Sequence, residues 1–238
     1  MRILKEAIEE LLAQPRIGRC DFHTHSFLSD GALLPIEQLR RAYVKGHVAY
    51  AITDHVSAAN LDIIEKVTRD CLLAIKQWGM VAIPGVEITH VPVDAIDSIV
   101  EMAKKKNALL IVLHGETISE PVEPGTNLAS AKNKEVDILA HPGLITKQVA
   151  TLCKKHDIFL EITSNKTHGV TNGHIVKVGK SVGAEFIQNT DSHKPSDMLT
   201  YEEGEAILKG AGMSPEDIEK TLQQSVRKLL RKILEQID

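Results

Sequence analysis

Asp21-Phe22-His23-Thr24-His25-Ser26-Phe27-Leu28-Ser29-Asp30-Gly31 gathers two histidines and two aspartates behind a short apolar lead. Residues i and i+2 of an extended strand point to one face, so His23 and His25 can present both imidazoles to one metal ion. Asp21 shares that face one step back, where it is expected to orient a ligand histidine from behind. Asp30 stands between Ser29 and Gly31, where a turn can swing its carboxylate back. Taken alone, His-x-His also describes a strand end with two exposed imidazoles. The reading turns on whether more ligands arrive at equivalent places.

Working outward, such places recur. The apolar run 48–53 reads as a strand buried on both faces and ends in Asp54-His55. Residues 80–87 read as a strand made irregular by Pro84-Gly85 and ending in Glu87. Residues 108–113 lead into His114, 136–140 into His141-Pro142-Gly143, and 184–189 into Thr190-Asp191-Ser192-His193. Residues 158–162 make one more strand, followed by a polar segment over 163–173. Helical patterns lie between these strands, at 35–46, 59–78, 92–106, 147–156 and 174–182. Flanking helices are expected over 1–15, near 202–208, and from the Ser214-Pro215 cap onward over 214–238. Seven strands alternating with helices predict a closed or nearly closed parallel barrel of TIM type, short by one unit. An open doubly wound sheet is the alternative. There is no repeat or linker, and the whole chain, with its core at about 18–200, is expected to be a single domain.

Six of the seven strand ends carry His, Asp or Glu, and in such barrels the C-terminal strand ends form the active face. The candidate ligands are His23, His25, Asp30, His55, Glu87, His114, His141, Asp191 and His193. One zinc ion takes about four ligands, so nine suit two or three ions with bridging carboxylates. No cysteine joins the set, which suits zinc, manganese or iron. Asp54 is expected, like Asp21, behind the ligands. Glu116, Lys166, His168 and Lys194 fall in strand-to-helix loops on the same face and are candidate substrate-binding residues. His90 is a candidate for the mouth, and His47 and His156 read as structural.

Composition narrows the function classes. The 238 residues are 43% hydrophobic, carry a net charge of −4 and are only 3% aromatic. Neither a basic surface nor a base-stacking platform is indicated, so nucleic acid is not an expected partner. No apolar run is long enough to span a bilayer, and residues 1–14 do not read as a signal peptide. Cys20, Cys71 and Cys153 are few and scattered, which suits the cytoplasm. Arg227, Lys228, Arg231 and Lys232 read as the solvated face of an amphipathic helix. Oligomeric state is left open.

The motif set as a whole resembles the PHP (polymerase and histidinol phosphatase) superfamily. The matching residues are His-Thr-His with Ser-Asp-Gly within 23–31, Thr-Asp-His at 53–55, Gly-Val-Glu at 85–87, His114, His141-Pro142 and Asp-Ser-His at 191–193. The resemblance spans about residues 21–195. It implies a distorted (β/α)7 TIM-like barrel and a trinuclear metal site. Carried over, His23, His25, Glu87 and Asp191 would hold a first ion. Glu87 would bridge to a second, held also by His114 and His141. Asp30, His55 and His193 would hold the third, with Asp30 at a place some relatives fill with histidine. Glu87, Asp191 and His193 are then the expected catalytic set.

The implied chemistry is hydrolysis of a small phosphomonoester, such as histidinol phosphate, by attack of a metal-bridging hydroxide. Glu116, Glu120 and Glu123 in loop 115–127 would set negative charge beside the mouth, which suits a substrate carrying an amine. A phosphodiesterase or nuclease with the same site is the first alternative. A non-catalytic scaffold or binding subunit is the second.

Overall fold

The computed structural model describes residues 1–237, and Asp238, the last position of the expected terminal helix, lies outside the described residues. Its strands are β1 (Arg19–Asp21), β2 (His47–Ile52), β3 (His55–Val56), β4 (Val81–Ile88), β5 (Leu110–His114), β6 (Ile138–Ala140), β7 (Phe159–Thr163) and β8 (Phe186–Asn189). Every ladder is parallel, in the order β1-β2-β4-β5-β6-β7-β8. The eighth strand comes from a split. β2 pairs with the first half of β4, Ile52 opposite Pro84, and β3 with its second half, His55 opposite Glu87. Thus β2 and β3 share one place, and the nearly closed barrel has the seven positions counted from the sequence.

Pro84 is tolerated where the partner of β4 changes from β2 to β3. Its carbonyl still accepts from Leu109 N at 3.0 Å, and a proline lacks only the donor. The ring closes between β1 and β8 through a single bridge, Thr24 with Ser192. Beside it His25 N donates to Ser192 O at 2.8 Å and Asp191 N to His23 O at 3.0 Å. Closure therefore joins the first and last sequence motifs directly.

The helices are α1 (Arg2–Ala13), α2 (Pro35–Val44), α3 (Ile63–Trp78), α4 (Ile96–Lys105), α5 (Thr126–Lys132), α6 (Lys147–Lys155), α7 (Asn172–Val182), α8 (Tyr201–Gly210), α9 (Pro215–Glu219) and α10 (Val226–Glu235). α5 was not expected, because only its last turns follow the polar loop and its Thr126-Asn127 start reads as more loop. A π-helical turn over Lys220–Ser225 joins α9 to α10 where one straight helix was expected. No helix among the described residues is long and apolar enough to cross a membrane.

The strands alternate with a period of two between two apolar clusters. Ile111, Leu113, Leu139, Leu160 and Ile162 pack outward against the surrounding helices. Leu110, Val112, Ile138, Ala140 and Phe159 face a second cluster with Leu229, Leu230 and Ile233 of α10 and Leu4 and Ile8 of α1. The two terminal helices thus cover the N-terminal end of the barrel. Three of the four basic residues singled out in α10 are engaged there. Arg227 donates to Leu12 O and Gln14 O, Lys228 pairs with Asp157 and Glu185, and Lys232 with the buried Asp137. His47, at the start of β2, is buried with its Nδ1 on Ala42 O.

Candidate metal centre

The same alternation aims the polar residues. His114 follows Leu110 and Val112 on the inward face of β5. Glu87 lies between the outward Val86 and Ile88 of β4. Glu161 follows Phe159 on the inward face of β7. His23, His25, Glu87, His114, His141, Glu161 and Asp191 are all at least 96% buried. Burying so many ionisable groups is tolerable only where they pair or bind ions.

At the centre, Nε2 of His23 and Nε2 of His25 face each other at 3.1 Å. Two ring nitrogens at that separation suit a shared ion better than a shared proton. Glu87 Oε1 lies 3.3 Å from His23 Nε2, and Asp191 Oδ1 3.1 Å from His25 Nε2. The ligand atoms of His23, His25 and Asp191 lie within 4.8 Å of one another. His23 is oriented from behind by Glu161, whose Oε1 accepts from Nδ1 at 2.8 Å. A carboxylate only accepts, so Nδ1 carries the proton and Nε2 is turned inward.

To one side, His25, Asp30, His55 and His193 form a second group. Asp30 Oδ2 lies 3.5 Å from His55 Nε2 and 3.2 Å from His193 Nε2. Nδ1 of His193 donates to Asp191 O at 2.9 Å, and Nδ1 of His55 lies 2.8 Å from Glu87 Oε2. Asp30 returns to the site because Gly31 packs where a side chain cannot. A Cβ there would stand 2.1 Å from His25 O.

On the other side, His114, His141 and His168 form a third group. His114 Nδ1 donates to Gly115 O at 3.0 Å, leaving Nε2 inward, 3.1 Å from Glu120 Oε2. His141 Nε2 lies 3.7 Å from Glu87 Oε1. Glu87 thus touches all three groups. His141 and Asp191 have φ of 26° and 54°, in the left-handed region, which costs roughly 1–3 kcal/mol each and is found at sites that need a side chain re-aimed.

Burial opposes charge throughout the cluster, and neighbours decide the outcome. Burial disfavours a charged His23, yet Glu161, Glu87 and Asp191 raise its pKa well above the usual range. Burial would raise Glu87, but His23, His55 and His114 hold it well below the ordinary carboxylate value. Asp191 is lowered against burial by His23 and His25. His55 is raised to about 10 against burial, mainly by Glu87 and Asp30. His141 goes the other way, to about 3, through burial and the nearby His114. Divalent ions fit this donor set, because they replace protons shared between histidines and carboxylates. Glu87 Oε1 is buried without a hydrogen-bond partner, which an ion would supply.

Some expected residues stand elsewhere. Asp21 touches no histidine ring: it accepts from Thr190 N and Oγ1 at 3.1 and 2.7 Å and pairs with Arg19 at 3.2 Å. It holds the residue before Asp191, and Glu161 orients the ring of His23. Asp54 accepts from Ser26 N, Ser26 Oγ and Ser29 Oγ at 2.6–2.7 Å, and so staples the turn carrying Asp30. Glu116 does not face the mouth either, since its Oε1 accepts from Gly125 N and Asn127 N. Glu123 accepts from Val93 N. Of the three loop glutamates, Glu120 reaches the histidines, including His90 Nε2 at 2.9 Å. His168 is buried in the cluster, and Lys166 and Lys194 are exposed. Glu161 was missed because it lies inside a strand. Its signal was a lone acid in the apolar run Phe159-Leu160-Glu161-Ile162.

No protein-family model matches the chain. It is 42% identical over 217 residues to an uncharacterized protein of Methanocaldococcus jannaschii, covering 90% of this chain and 100% of the other. It is 26% identical over 232 residues to a probable phosphatase of Thermoanaerobacter, covering 89% and 94%. Among solved structures it resembles histidinol phosphate phosphatase from Lactococcus lactis, crystallised with zinc, L-histidinol and phosphate. That likeness has a TM-score of 0.62 at 15% identity, over 83% of this chain and 95% of the other.

Proposed function

We propose that the chain is a metal-dependent phosphoesterase of the PHP superfamily and that it hydrolyses a small phosphomonoester at the barrel mouth. The observation that carries this reading is Glu87, a buried carboxylate within reach of all three histidine groups. Two or three divalent ions held by His23, His25, Asp30, His55, Glu87, His114, His141, Asp191 and His193 would supply Lewis acidity and acidify a bound water. Zinc, manganese and iron all suit these donors.

The protein's own residues prepare that chemistry. Glu161 holds His23, while Asn165 Nδ2 donates to Asp191 Oδ2 at 2.9 Å, so both keep their direction as charge develops. Burial of the donors excludes bulk water from the floor of the site. Lys194, next to His193, and Lys166, in the segment after β7, are exposed cations suited to phosphate oxygens that do not react. Small size is supported by the net charge of −4 and the 3% aromatic content, since a polynucleotide groove needs basic and stacking side chains. Histidinol phosphate is the first substrate to try, because the structural neighbour acts on it. Cys20, Cys71 and Cys153 are buried free thiols, which supports work in the reducing cytoplasm.

The test compares kcat/KM for histidinol phosphate and an aryl phosphate with that for labelled oligonucleotides, on protein loaded with manganese or zinc. The monoesters should be far better substrates. Faster oligonucleotide cleavage would make the protein a nuclease. No hydrolysis of either by fully loaded protein would favour a binding subunit.

A further inference from the structure

Two donors beyond the strand ends face the position defined by His114 and His141. His168 is 5% exposed and stacks on His141 with ring centroids 4.2 Å apart. Its Nδ1 is taken by the hydroxyls of Thr117 and Ser119, at 2.8 and 2.9 Å. Nε2 is therefore turned inward, 3.5 Å from Glu120 Oε1 and 3.8 Å from Asp191 Oδ2. Glu120 Oε2 in turn lies 3.1 Å from His114 Nε2. Donors that each bind one divalent ion at about 2.1 Å stand roughly 3–3.5 Å apart around it. The closest of these separations match that geometry, and the rest need only a small contraction.

We propose that His168 Nε2 and the Glu120 carboxylate are ligands of the ion held by His114 and His141. This rests on the metal-dependent reading above and adds to it. The position is then completed by loop 115–127 and the segment after β7, and strand ends alone do not fill it. The loop is tied to the ion twice, directly through Glu120 and indirectly through Thr117 and Ser119, which hold His168. Glu116 anchors the far end of the same loop on Gly125 N and Asn127 N. Ion binding at this position therefore orders the loop that lines the mouth.

The test measures metal content by mass spectrometry, and manganese affinity by competition with a chelator, in wild type, His168→Gln and Glu120→Gln. Each variant should lose about one ion per chain or bind it at least about tenfold more weakly, as even removal of outer partners does. Hydrogen exchange across 115–127 should slow when manganese is added to wild type, and slow less in Glu120→Gln. Glu120 is 37% exposed, so its variant decides the matter if His168→Gln does not fold. Full ion content and unchanged affinity in the folded variants would overturn the assignment. A wild type that takes up no ion would overturn the metal-centre reading with it.

Discussion

Glu161 joins two ligand strands to one carboxylate: Oε1 accepts from His23 Nδ1 at 2.8 Å, and Oε2 accepts from His141 N at 3.0 Å. Oε1 also accepts from Asn189 Nδ2 at 2.9 Å, and Asn189 Oδ1 accepts from Phe22 N. One fully buried acid therefore sets a ring on the β1 extension and the backbone at the end of β6. Glu161→Gln leaves the volume but opposes an amide N–H to a backbone N–H or a ring N–H. Metal affinity should fall about 10–100-fold, the usual effect of removing a ligand's outer partner. Chelator competition measures it, and an unchanged dissociation constant would show that His23 needs no such support.

Glu87→Gln should abolish most activity while leaving the fold intact. A carboxylate offsets repulsion between neighbouring cations, and an amide does not. Losing several kcal/mol of that stabilisation corresponds to a drop in kcat of at least about a hundredfold. The circular dichroism spectrum should match wild type. Near-normal turnover would rule out a bridging role.

Metal removal should lower stability as well as activity. The buried histidines and carboxylates share protons that ions replace, so binding favours the folded state. At a free ion concentration 100 times Kd, each site adds about 2.7 kcal/mol. Elemental analysis should find two or three ions per chain, and Tm should rise with manganese concentration. One ion or none after reconstitution would sink the multinuclear reading.

His47 supplies a pH dependence away from the metal centre. Burial, reinforced by the nearby Arg19, lowers its pKa to about 3, against about 6.5 in an unfolded chain. The folded state excludes a proton that the unfolded state takes up below pH 6.5. Its contribution is therefore complete above that pH and is lost progressively as pH falls toward 3. Between pH 7 and pH 5 the loss is about 2 kcal/mol. Urea titrations of wild type and His47→Gln should show a stability difference that shifts by that amount in favour of the variant. A difference that does not change with pH would contradict the assignment.

The order of the strands, most of the helices between them and the nine ligand candidates at the strand ends were legible in the chain, because each depends on local pattern, whereas the short helix α5 was not. A period of two aims a side chain, and a polar residue closing an apolar run marks a strand end. The split into β2 and β3 was not legible, since it depends on which neighbour offers hydrogen bonds to either half of β4. Nor was the exchange of roles between Asp21 and Glu161. Both are acids on inward faces, and only the stacking of β1, β7 and β8 decides which one meets His23 and which meets Thr190. Glu116 and Glu120 lie four residues apart in one loop, yet one caps the backbone and the other faces three histidines. Sequence alone determined which donors are present. Tertiary packing decided which of them share a centre, because contacts between residues distant in the chain form only when the barrel closes.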